Sequence, residues 1–130
     1  KLSELPAHPD FIFCATNMQT GANWEFSGKR SGDYQVGYVG PNGLRVSEAV
    51  AASSAFPLAF PPLVLRFDPA SFSGGSIPAS LREYRERVVV TDGGVYDNLG
   101  LEPLWKNYKA VIVSDGGKPF FMSKTDFLTI

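Results

Sequence analysis

Cysteine, histidine and basic runs are all scarce in this chain, and each scarcity removes a class of function. Its 130 residues include one cysteine, Cys14, so no internal disulfide framework can form and no second thiol exists to build a zinc site. The one histidine, His8, lies between Ala7 and Pro9, where it reads as a loop residue rather than a ligand. No metal site is expected. The 12 basic and 13 acidic residues leave a formal charge of -1, which argues against a dedicated nucleic-acid surface. Long apolar stretches are missing too. The longest, AVAASSAFPLAFPPLVL over 49–65, is broken by two serines and three prolines, the wrong composition for a membrane span. No secretory apolar segment opens the chain. With cysteine so sparse, the expected location is the cytoplasm.

What is present is a globular composition. A hydrophobic content of 44% is enough for a packed core, and the length allows one domain or a piece of one. The chain begins at Lys1 without a methionine, as a processed protein or an excised portion of a longer one would.

DFIFCATN, residues 10–17, reads as a buried strand. WEFS and DYQVGYV follow, separated by the polar loop GKRSG. Trp24 and Phe26 share one face of the first run, and Tyr34, Val36 and Tyr38 one face of the second, so a β-hairpin is predicted. RVSEAVAASSA predicts a helix capped at Ser47 or a neighbour, with Glu48 in its first turn. Its small residues, 51–55, permit close approach to a sheet, and Pro57, Pro61 and Pro62 end it. LVLRF, RERVVV and KAVIVS read as further strands and LEPLWKN as a short helix. Runs such as FIF, VVV and VIV are apolar at consecutive positions. They suit strands covered on both faces, an α/β arrangement, better than an open antiparallel sheet.

Two of these strands run into Asp-Gly-Gly, at Asp92 and again at Asp115. Asp-Gly between strand-like runs is a hairpin signal, because glycine accepts the positive φ such turns need. The same geometry can hold a carboxylate for chemistry. A strand end fixes its backbone, and the glycines remove bulk around it and offer backbone N–H groups. Local sequence leaves both readings of Asp92 open.

The wider pattern favours chemistry. ATNMQTG (15–21), VSEAVAASSAFPLAFPP (46–62) and TDGGVYDN (91–98) occur in that order. Together they resemble the second half of a patatin-like phospholipase domain, whose blocks run AT-D-x-x-T-G, A-x-x-A-S-x-A-x-P-x-x-F-P-P and D-G-G/A-x-x-x-N. Asn17 departs from that pattern, standing where aspartate is frequent, so a charge-dependent role is not carried over to it. The resemblance implies an α/β/α sandwich and a Ser–Asp dyad that hydrolyses lipid acyl esters without metal or organic cofactor. It makes Asp92 the dyad aspartate, with Gly93, Gly94 and Asn98 shaping its loop. Asp115 matches no catalytic position and reads as a polar residue ending a strand.

The nucleophile of such an enzyme sits on a G-x-S-x-G elbow between strand and helix. No serine here has that context. SFSGG is the nearest, and Ser53 and Ser54 fall in the predicted helix without flanking glycines. In the family the elbow and the glycine-rich oxyanion loop precede the matched region. Residues 1–130 are therefore expected to be the C-terminal portion of one such domain, inactive alone. Unpaired sheet edges would then favour self-association. AFPLAFPPL, with Phe56 and Phe60 as substrate-binding candidates, either lines the acyl-chain side of the site or belongs to ordinary core. Peripheral membrane contact is expected through the lipid substrate. REYRER reads as a solvated surface because Glu83 and Glu86 interleave its arginines. The competing readings are a non-catalytic lipid-binding or interaction module of the same fold, and a small β-rich domain with two Asp-Gly hairpins.

Overall fold

The computed structural model describes residues 1–41 and 43–115. Six strands form one sheet: β1 (Ile12–Asn17), β2 (Asn23–Ser27), β3 (Ser31–Asp33), β4 (Gly37–Val39), β5 (Leu63–Arg66) and β6 (Arg87–Asp92), in the order β4-β3-β2-β1-β6-β5. Three helices accompany them: α1 (Val46–Ser53), α2 (Glu83–Glu86) and α3 (Glu102–Trp105). Helix and strand mix as expected, but every strand pair among the described residues is antiparallel. Consecutive apolar residues say nothing about strand direction.

Strand register builds the core. Phe13 faces Phe26, and Ala15 faces Trp24 and Asp92 on either side. Leu65 faces Val88 and Leu63 faces Val90. Side chains alternate along a strand, so these residues share one face. Ala15, Trp24, Phe26, Val88 and Val90 are fully buried on it. Helix α1 packs across β1 and β6, with Ala49 and Ala52 buried where small side chains allow close approach. Its first turn is closed by Glu48, whose carboxylate accepts the Arg45 N–H at 2.7 Å, so the cap falls at Arg45 rather than at Ser47. Trp24 stacks on Phe67 at 6.0 Å between centroids, and its Nε1 donates to Ser31 Oγ at 3.0 Å.

The predicted hairpin forms between β2 and β3, but the second run is divided. Asp33 accepts the backbone N–H groups of Gln35 and Val36 at 2.8 and 2.7 Å, which turns the chain between β3 and β4. Val36 is buried while Tyr34 is exposed, so the three residues do not share a strand face. Asp33 is itself fully buried, and its other oxygen accepts from Asn17 Nδ2 at 2.8 Å and Thr20 Oγ1 at 3.2 Å. Four donors thus meet one buried carboxylate.

REYRER is not uniformly solvated. Arg85 turns inward, 7% exposed, and its guanidinium donates to the carbonyls of Val36, Gly74 and Ile77. That ties the 73–77 loop to the β3–β4 turn. The outer edge of β4 is closed by Ser73, which exchanges two 2.9 Å backbone hydrogen bonds with Tyr38. β5 has no strand beyond it among the described residues. Among the described residues KAVIVS pairs with no strand, and Val111, Ile112 and Val113 are exposed. Gly116 and Gly117, the rest of the second Asp-Gly-Gly, lie outside the described residues.

Candidate active site

β6 carries its buried face to Asp92. Val88, Val90 and Asp92 alternate along the strand, and the carboxylate is where that face reaches the end of the sheet. The backbone there is clamped on both sides. The Asp92 N–H donates to the Ala55 carbonyl at 3.1 Å, the Thr91 hydroxyl donates to that same carbonyl at 2.8 Å, and the Asp92 carbonyl accepts from Thr16 Oγ1 at 2.8 Å.

Past Asp92 the chain makes no hairpin. It enters a 3-10 turn, Gly93–Val95, and leaves the sheet. The Gly94 N–H donates to Asp92 Oδ1 at 2.7 Å, which orients the carboxylate. Gly93 is sterically required, and a side chain on Gly94 would displace the side chains around it. A Cβ on Gly93 would stand 2.4 Å from the Cys14 carbonyl oxygen, and one on Gly94 would stand 2.8 Å from Asn98 Oδ1 and 2.9 Å from Asp92 Oδ1. Asn98 and Asp92 therefore close on Gly94 from two directions.

A groove of about 600 Å³ opens beside this carboxylate. Asp92, Gly93, Gly94 and Asn98 line it, with Phe11, Phe13, Leu99 and Leu104 giving it apolar walls. The other carboxylate near Asn98, Asp97, is committed to structure, because its Oδ2 accepts the Glu102 N–H at 2.7 Å. Cys14 is half-buried in the wall, and that burial raises its thiol pKa; Asn23 Nδ2 reaches its sulfur at 3.8 Å.

Ser53 also lines the groove, a residue set aside in the sequence for want of an elbow. Its placement was legible in the spacing: it follows the sheet-facing Ala49 by four residues and so falls on the same side of α1. Phe56 and Phe60 are not in this groove. Both are exposed, and Phe60 lines a separate hollow of about 280 Å³ with Ala51, Ala55 and Leu63. They are not ordinary core either. Asp115 is exposed and outside the groove.

Among the described residues no cluster of three or more His, Cys, Asp and Glu side chains could hold a metal ion, and no helix is long and apolar enough to cross a membrane. The arrangement offers an oriented carboxylate, a fixed backbone and an apolar-walled groove, the parts needed by a base acting on a bound apolar substrate. A family model described as patatin-like phospholipase matches residues 1–105, which include Asp92, Gly93, Gly94 and Asn98 but not Asp115. No curated protein and no solved structure matches the chain.

Proposed function

The chain belongs to the patatin-like phospholipase family, and on that premise we propose that it supplies the aspartate of a Ser–Asp dyad that hydrolyses lipid acyl esters. The observation that carries this reading is the setting of Asp92, a carboxylate oriented by Gly94 and facing a groove with apolar walls. The nucleophilic serine is proposed to come from outside these residues, since no serine here stands in G-x-S-x-G.

In that reaction the serine hydroxyl attacks the ester carbonyl while its proton passes to Asp92. The oxyanion that forms needs N–H donors of its own. Gly94 is not one of them, because its N–H is already spent on Asp92. Collapse of the tetrahedral intermediate breaks the bond to the alcohol, which takes the proton from Asp92. Water then attacks the acyl-serine, giving one proton back through Asp92 to the serine and releasing the acid. Asp92 ends each cycle as it began. Phe11, Phe13, Leu99 and Leu104 would contact the acyl chain.

Phe56 and Phe60 are assigned to the lipid surface instead of the groove. Residues 56–62, FPLAFPP, are apolar throughout and all exposed. The segment starts one residue after Ala55, whose carbonyl is bound to the Asp92 strand. Contact with lipid there would hold the groove close to its substrate. The open edge of β5 is the proposed place for a further strand, from the rest of the domain or from a second copy.

Two measurements test the dyad. A fluorophosphonate probe, which labels activated serines, should leave the 130-residue chain unlabelled. Labelling at Ser53 would overturn the assignment by placing the nucleophile inside the chain. In a protein where this chain is joined to its G-x-S-x-G segment, Asp92→Asn should lower ester turnover by about a thousandfold or more with the fold intact. Near-normal turnover in that variant would equally overturn it.

A further inference from the structure

One polar side chain in the groove of Asp92 plays no part in the dyad. Ser53, the last residue of α1, lines that groove together with Asp92, Gly93 and Gly94. A helix serine ordinarily turns its hydroxyl back to the carbonyl one turn earlier. Ser54 does so, donating to the Val50 carbonyl at 2.7 Å. Ser53 does not. Among the described residues its Oγ has no hydrogen-bond partner, and the half-buried side chain leaves that oxygen open to solvent.

The backbone fixes its place beside Asp92. The carbonyl of Ala55, two residues on, accepts from the Asp92 N–H at 3.1 Å and from the Thr91 hydroxyl at 2.8 Å. Two residues of chain span at most about 7 Å, so Ser53 is tethered close to the end of β6. Helix α1 also packs against the Gly93–Val95 turn. On the carboxylate itself Oδ1 is taken by the Gly94 N–H, while Oδ2 accepts no hydrogen bond among the described residues. Asn98 borders the groove as well, but it is exposed and leans on Gly94, whereas Ser53 is held by a helix.

We infer that Ser53 positions the water that hydrolyses the acyl-serine. This role rests on the dyad reading and assigns a residue to its second step. Water brings two protons to the attack. One passes to Asp92 as the water oxygen bonds to the acyl carbon. The other stays on that oxygen and becomes the O–H of the released acid; until then it needs an acceptor, or the water is free to turn its lone pair away. Ser53 Oγ is that acceptor, and it keeps its own proton throughout. The bond to the nucleophilic serine then breaks, and that serine recovers the proton held by Asp92. An alcohol attacking in place of water has one O–H, which goes to Asp92, so it has no second proton for Ser53 to accept. Formation of the acyl-serine involves no water and makes no use of Ser53.

The test uses the protein in which this chain is joined to its G-x-S-x-G segment, turning over a lipid ester in buffer containing methanol. The acyl-enzyme then partitions between free acid and methyl ester. Ser53→Ala, a substitution that suits a helix, should form acyl-enzyme at the parental rate. Its hydrolysis should fall about tenfold, the effect of losing one hydrogen bond. Methanolysis should hold its rate, so the ratio of methyl ester to acid should rise about tenfold. A side chain that only supports the fold would slow both captures alike and leave the ratio where it was. An unchanged ratio, or a folded variant that forms no acyl-enzyme, would overturn the inference. Asp92→Asn separates the two readings. Near-normal turnover there defeats the dyad, whereas a parental ratio in Ser53→Ala beside an inactive Asp92→Asn defeats the water-positioning role alone.

Discussion

Gly94 holds Asp92 by its backbone N–H, at 2.7 Å from Oδ1, in a space where a side chain on Gly94 would press on the carboxylate itself. The contact is close because the glycine is bare. In Gly94→Ala the new methyl would lie 2.9 Å from Asp92 Oδ1 and 2.8 Å from Asn98 Oδ1, inside van der Waals contact with both. Asn98 is exposed and can swing away; the carboxylate then loses its straight line to the Gly94 N–H. In a protein carrying both dyad members, turnover should fall by about tenfold to a hundredfold, mostly in kcat, while the melting temperature moves little. Unchanged kcat would show that the Gly94 contact does not set the carboxylate's orientation.

Asn17 makes a second prediction, because its neutrality is matched to a neighbour. Its amide donates to the fully buried carboxylate of Asp33 at 2.8 Å. An aspartate at this position would set two carboxylates against each other, and Asn17→Asp should destabilise the chain by about 3 kcal/mol at about pH 7. The sign comes from the shared proton. In the folded variant the pair would hold a proton above the ordinary carboxylate range, near about pH 4, while the unfolded pair would not. The deficit against the parent should therefore shrink as the pH falls from neutral toward that range. Urea melts across the interval measure it, and a pH-independent deficit would contradict the argument.

These same residues show how far the sequence could be read. Trp24, Phe26, Val88 and Val90 announce the core, since alternation along a strand needs no distant information. The aspartate at the end of β6 is legible for the same reason. The turn beyond it is decided elsewhere in the chain. Whether Asp92-Gly93 becomes a hairpin or a 3-10 turn depends on Gly93 seating against the carbonyl of Cys14, which lies on β1, far away in sequence. DYQVGYV reads as one strand until Asp33 captures the N–H groups of Gln35 and Val36. REYRER reads as solvated because the carbonyl acceptors of Arg85 lie in other segments. Apolar runs decide neither strand direction nor cover on both faces: VVV is mostly buried on β6, while VIV at 111–113 is exposed.

Cys14 offers a probe of the groove that needs no turnover. Burial raises its pKa, so at a given pH less thiolate is present than on an exposed cysteine. Alkylation by iodoacetamide should therefore be slower than for a model thiol at about pH 8, with the rise in rate displaced to higher pH. A non-hydrolysable lipid ether occupying the groove should slow it further. A rate that tracks the model thiol at every pH, with or without the ether, would place Cys14 outside the groove.

The loop over 56–62 separates lipid contact from packing by opposite effects of one substitution. Leu58 is fully exposed and adopts φ 76°, a left-handed conformation that costs a residue with a side chain about 1 kcal/mol or more. Within the described residues nothing is gained in return, since so exposed a side chain has no packing to repay the strain. Glycine relieves that strain, so Leu58→Gly should raise stability by up to about 1 kcal/mol. If the loop meets lipid, the same change removes a leucine from the contact, and partitioning onto phosphatidylcholine/phosphatidylethanolamine vesicles should fall about tenfold. Phe60→Asp should lower binding at least as much without lowering the melting temperature, because Phe60 is 62% exposed. An apolar contact is also insensitive to screening, so vesicle binding should survive about 0.5 M salt. Sedimentation with vesicles measures the partitioning and thermal melts measure the stability. Vesicle binding that is indifferent to Leu58→Gly and Phe60→Asp, or abolished by salt, would assign the membrane contact to another surface.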